Sequence, residues 1–180
     1  MVLHSCAAPE DLISRWHRAV AVDGFLMFSC LGPDSLRELR QLYADQGWPA
    51  PGHELTDMHD WGDMLAQAGF AEPVMDMERI TLSYLDPGKL LQDLRELGRN
   101  FHPRRFAALR GRRWRERLLT GLRQDLPREP ESGRMVLTFE IIYGHAFKPA
   151  PRHRVAAQTA LSVDEMRALL QRGRNPPVGG

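Results

Sequence analysis

At 180 residues and 43% hydrophobic, the chain carries enough apolar side chains for one core, in the range of about 100 to 200 residues where single domains fall. Lys plus Arg number 24 and Asp plus Glu 23, so a formal net charge of +1 gives no global field to draw in nucleic acid or an anionic membrane. Cys6 and Cys30 follow no secretory leader, which points to free thiols in a reducing, cytoplasmic compartment, and the longest apolar run is far shorter than the roughly 20 residues of a membrane-spanning helix.

Met1 to His4 reads as the tail of a strand. A helix over Pro9 to Val22 follows: Pro9 suits the first turn, Glu10 and Asp11 complement the positive end of the helix dipole, and Leu12, Ile13, Trp16, Ala19 and Val20 recur at helical spacing. Phe25 to Leu31 shows no alternation, the pattern of a strand buried on both faces within a parallel sheet. Gly32 to Ser35 make a turn into a second helix with Leu36, Leu39, Leu42 and Tyr43 inward and Arg37, Glu38 and Arg40 facing solvent. A third helix spans Met58 to Ala68, with Gly69 at its left-handed end. Pro73 to Met77 and Ile80 to Tyr84 are two short strands.

Pro87 opens a fourth helix that carries Leu90, Leu91, Leu94 and Leu97 and stops at Gly98. The basic stretch from Arg99 to Arg117 leads into a helix over Arg112 to Leu122, and Arg134 to Lys148 is the longest strand signal. Residues 1–150 are expected to fold together, and 151–180 to form a weakly structured tail with a possible helix over Ser162 to Gln171. The order of helices and strands is that of an α/β protein, but only one strand reads as central, so the inventory resembles part of a larger sheet.

Several stretches carry a family resemblance. They are Leu3-His4-Ser5-Cys6, Arg15-Trp16-His17-Arg18-Ala19, Gly24 through Arg40, Asp57-Met58-His59-Asp60, Ala68-Gly69-Phe70, Ile80-Thr81-Leu82, Asp93 through Gly98, and Thr138 through Ala146. In these the chain resembles the malonyl-acyl-carrier-protein O-methyltransferases of biotin synthesis, class I S-adenosylmethionine enzymes, over about residues 1 to 150. The resemblance implies the C-terminal part of a class I methyltransferase Rossmann-like sheet with helical insertions. It also implies S-adenosylmethionine as cofactor and an acidic acyl-carrier protein as partner. The glycine-rich turn and the acidic ribose-binding residue of the family have no counterpart here, and no G-x-G pattern joins a strand to a helix. Ser5 stands where relatives usually carry Trp or another large residue. The chain is therefore expected to be a truncated part, inactive and poor at holding the methyl donor alone, and to need its missing N-terminal part or to self-associate.

Methyl transfer to a carboxylate asks for alignment and exclusion of water more than for acid or base help, so walls and carboxylate clamps are the features to seek. His4 and Ser5, at the end of the first strand, are the cofactor-side candidates, against the plain reading of His4 as a hydrogen-bonded histidine at a strand end. Ser29, Leu31 and Gly32 end the next strand and could line the same crevice on the substrate side, with Cys30 equally suited to packing; Asn100 follows the Gly98 helix stop. Arg104, Arg105, Arg112 and Arg113 belong to the densest charge run, whose guanidinium forks suit a carboxylate, a pantetheine phosphate or an acidic carrier protein, against the plain reading of a solvated face. The histidines at 53, 59, 102, 145 and 153 show no ligand spacing, so no metal is expected. The alternative function is a non-catalytic module that keeps the arginine patch to bind an acidic protein. Nucleic acid is disfavoured because aromatic positions are sparse along the basic run.

Overall fold

The computed structural model describes residues 3–98, 100, 102, 105–151 and 166. Residues 1–150 and 151–180 form separate units, and every helix and strand named below lies in the first. The Ser162 to Gln171 helix lies outside the described residues apart from Met166.

The first unit is mixed α/β. Its helices are α1 (Pro9–Ala19), α2 (Arg37–Asp45), α3 (Met58–Gln67), α4 (Pro87–Leu97) and α5 (Arg112–Asp125); its strands are β1 (Phe25–Leu31), β2 (Ala71–Tyr84) and β3 (Met135–Phe147). Local chemistry explains the helix starts. Pro9 and Pro87 occupy first turns where an N–H is dispensable, Asp57 accepts from the N–H groups of His59 and Asp60, and Asp86 accepts from that of Lys89.

The sheet has the order β1-β3-β2, and both pairings are antiparallel. This corrects the reading of Phe25 to Leu31 as a central strand of a parallel sheet buried on both faces. β1 lies at the edge of this sheet, with Phe25 58% and Met27 69% exposed. Leu3–Ser5, read as the end of a strand, is a short three-ten turn. The two short strands expected around residues 73–84 are one strand, β2, whose run continues through the charged Glu78 and Arg79 because each pairs across to β3.

Alternation along β3 sends its side chains to two separate cores. Ile142 and Ala146 face Leu3, Ile13, Cys30, Trp61 and Leu65, a layer built by α1 and α3. Met135, Leu137 and Phe139 face Leu39, Leu42, Leu90, Leu118 and Leu122 from α2, α4 and α5. On this second face the helices cover only the Met135 end. Toward the other end Phe25, Met27, Val74, Tyr143 and Phe147 are exposed.

Where β1 stops, the turn into α2 takes over its edge of β3. Gly32 N–H donates to Glu140 O at 2.9 Å and Leu36 N–H to Thr138 O at 2.7 Å. Leu36 adopts φ 58, a left-handed conformation costly for a residue with a Cβ, and the bond to Thr138 helps hold it there.

Candidate functional site

The turn after β1, the C-terminal end of α4 and the loop through His53 enclose a cavity of about 180 Å³. Leu31, Leu39, Leu55, Leu94 and Phe139 give it apolar walls, and His4, Ser5, Arg40, His53 and Asn100 supply polar groups. An apolar recess with a few convergent polar groups is the general form of a small-molecule site.

The polar groups are held in place. Leu31 N–H donates to His4 Nδ1 at 3.5 Å, and His53 Nε2 lies 2.5 Å from the His4 carbonyl. A carbonyl only accepts, so His53 carries a proton on Nε2, while His4 presents Nδ1 as an acceptor. Burial, reinforced by the nearby His53, holds His4 below the usual histidine range. Asn100 donates from Nδ2 to Ala50 O at 3.0 Å and accepts from His102 N–H at 2.8 Å, which ties the segment after α4 to the loop before His53. Arg40 donates from Nη1 to Ser35 O at 2.6 Å and from Nη2 to Pro33 O.

Of the residues expected from sequence, His4, Ser5, Leu31 and Asn100 line this one cavity. Ser29 and Gly32 do not. Ser29 is half-buried within β1 opposite Tyr143. Gly32 is buried with the Glu140 carboxylate where a side chain would stand; an added Cβ would lie 2.4 Å from Glu140 Oε2. Cys30 is fully buried in the α1/α3 core, and burial pushes its thiol up to about 11, so it packs and does not react.

The arginines do not reach the cavity as a group. Arg112 and Arg113 are exposed in the first turn of α5, Arg105 is exposed near His102 O, and Arg104 lies outside the described residues. Arg110 lies 4.1 Å from the Trp114 ring centroid and 4.7 Å from that of Phe106, and Arg117 lies 5.4 Å from that of Trp48. Tyr43, Trp48 and Trp114 pack edge-on or tilted against one another. Aromatic rings are thus not sparse beside the basic run, because the fold brings Tyr43 and Trp48 to it from the α2 side.

Two residues read as solvent-facing are otherwise engaged. Glu38 accepts from Thr138 Oγ1 at 2.5 Å and Thr138 N–H at 3.0 Å, and Arg40 lines the cavity. Helical spacing puts both on the outer face, but the left-handed Leu36 tilts the start of α2 onto β3, a feature with no sequence signal. His53 is one of the scattered histidines and has no distinguishing neighbour in the sequence.

The turn after β1 also bears on cofactor binding. Gly32 is the glycine that directly follows a strand and leads to a helix among the described residues, and the amides around it are consumed. Besides the Gly32 and Leu36 bonds, Asp34 N–H donates to Glu140 Oε2 at 2.8 Å and Ser35 N–H to Gly32 O at 3.0 Å. A cradle for a cofactor needs such N–H groups free and pointed outward. The turn after β1 therefore does not fit the glycine-rich donor site of S-adenosylmethionine enzymes. Among them no group of three or more His, Cys, Asp or Glu could hold a metal ion, and no helix is long and apolar enough to cross a membrane.

Known proteins supply a second line of observation. The malonyl-[acyl-carrier protein] O-methyltransferase of Laribacter hongkongensis is 43% identical over 150 residues, 81% of this chain and 48% of the relative. That of Gallionella capsiferriformans is 48% identical over 140 residues, 76% of this chain and 46% of the relative. The chain is a homologue of these methyltransferases. The same enzyme of a Methylovorus species matches at 36% over 93% of this chain and 55% of its own length. The homologue thus spans about half the length of the relatives it matches. No family model matches it. A solved structure of a candidate methyltransferase from Bacillus halodurans covers 82% of this chain and 61% of its own, with 16% identity and a TM-score of 0.45, too distant to carry an argument.

Proposed function

We propose that this chain is the acceptor-side half of an S-adenosylmethionine-dependent O-methyltransferase that esterifies the carboxylate of a malonyl-acyl-carrier-protein-like substrate in biotin synthesis, and that it does not methylate alone. The observation that carries this reading is the pairing of a cavity at the end of β1 with a glycine turn beside it whose amides are all engaged. Among the described residues the cavity offers walls for an acyl group, and the turn beside it has no free amides for the donor. His4, Ser5, Leu31 and Asn100 all line the cavity, and we assign His4 and Ser5 to the donor and Leu31 and Asn100 to the acceptor from sequence.

The donor cradle then comes from polypeptide beyond these 180 residues. Among the described residues β1 has no strand along its second edge, and the sheet face carrying Phe25, Met27, Val74, Tyr143 and Phe147 is uncovered. A free edge beside an exposed apolar face favours pairing with another chain segment. Self-association over the same surface is the competing use. Arg105, Arg112 and Arg113, exposed around the start of α5, suit the acidic carrier protein, and Arg104 is assigned to the same role from sequence. A module that only binds an acidic protein through these arginines is the second reading, favoured by Arg105, Arg112 and Arg113 lying outside the cavity.

Mixing the chain with a polypeptide matching the uncovered half of the Laribacter relative, then assaying methyl transfer to malonyl-acyl-carrier protein, separates these readings. Methylation by the mixture and by neither component supports the acceptor-half reading. Turnover by the chain alone refutes it, and an inert mixture in which the chain still binds the carrier protein favours the binding module.

A further inference from the structure

Arg40 is half-buried on the wall of the cavity, and its charge has no anionic partner among the described residues. The carboxylates of the adjoining turn, helix and strand make their recorded contacts with other groups. Asp34 pairs with Arg79 at 2.7 Å and with Arg37 at 3.9 Å. Glu38 accepts from Thr138 and from Arg37. Glu140 accepts from Asp34 N–H. A half-buried guanidinium whose bonds go to neutral carbonyls keeps its full charge for an arriving anion.

Its head is also fixed in advance. The bonds to Ser35 O and Pro33 O use two of five N–H donors, leaving Nε–H and one N–H on each terminal nitrogen for a ligand. Resting on our reading of the cavity as the acceptor site, we infer that Arg40 is the specificity-determining residue that grips the free carboxylate of the bound acyl group. The leucines and Phe139 take the methylene and thioester portion. A fork that holds one carboxylate oxygen still leaves the other for alkylation. Once that oxygen carries a methyl group the ligand is neutral, loses its ion pair with the guanidinium, and is released in preference to substrate. Arg40, and not the surface arginines Arg112 and Arg113, would thus distinguish acid from ester.

The test is calorimetric titration of the full chain with malonyl-pantetheine and with its monomethyl ester. The wild-type chain should bind the acid at least about tenfold more tightly than the ester, the scale of one charge-assisted bond. Arg40→Gln should bring acid binding down to the ester's level and leave ester binding unchanged. Retained preference for the acid, or equal loss of both ligands, would make Arg40 only a staple of the turn after β1. Binding of neither ligand by the wild-type chain would instead remove the acceptor-site reading, and the inference with it. A measurement on the wild-type chain covers a variant that fails to fold: modification of Arg40 by phenylglyoxal, mapped by mass spectrometry, should be slowed by the acid and not by the ester. Equal protection, or none, overturns the assignment.

Discussion

Gly144 sits in β3 directly opposite Phe28, whose ring occupies the place of a side chain; an added Cβ would meet ring carbons at 2.3 Å. Gly144→Ala should therefore overpack the α1/α3 face and lower stability by about 1–3 kcal/mol, read from chemical denaturation. A second residue-scale contact is the Glu38 carboxylate. Burial alone would push its pKa up, but the bonds from the Thr138 hydroxyl and N–H, its own N–H and Arg37 outweigh that and leave it lowered. A carboxylate whose folded pKa is depressed adds stability above its unfolded pKa and loses that contribution as pH falls through the folded value. Melting temperature should thus drop on the acid side of the carboxylate range, and Glu38→Gln should flatten that drop while lowering stability at neutral pH. An unchanged acid limb in the variant would show that Glu38 does not hold α2 to β3.

Among the elements, those governed by chemistry within a few residues are legible in the sequence. Pro9, Pro87 and Gly98 mark helix ends, and five helices lie close to where the apolar spacing puts them. The pairing of β1 is not legible, because Phe25 to Leu31 reads the same whether the strand is central in a parallel sheet or at the edge of an antiparallel one. The end of α1 at Ala19, short of the expected Val22, reflects Val20 turning to an extended conformation. The cavity is half legible: Leu31 and Asn100 follow from element ends, His4 and Ser5 line it from a three-ten turn that reads as a strand end in sequence, and Arg40 and His53 depend on how α2 and a distant loop fold back. The first turn of α5 carries the exposed Arg112 and Arg113, and exposed charges each contribute on the order of 0.2–1 kcal/mol to a pairing. Replacing both with Ala should weaken carrier-protein binding by roughly 2- to 30-fold and reduce its salt dependence, measured by titration at two ionic strengths. Unchanged affinity would take the carrier protein away from this face.

At the scale of the molecule, the three-stranded sheet is covered by α1 and α3 on one face and only in part by α2, α4 and α5 on the other, with β1 at a free edge among the described residues. The stretch shared with the relatives is about half of their length. The central proposition is that acceptor walls lie within this chain and the donor cradle outside it. Calorimetric titration with S-adenosylmethionine tests it most directly. The chain alone should show no uptake at micromolar donor, with binding appearing once the polypeptide matching the other half of a relative is added; micromolar uptake by the isolated chain would contradict it.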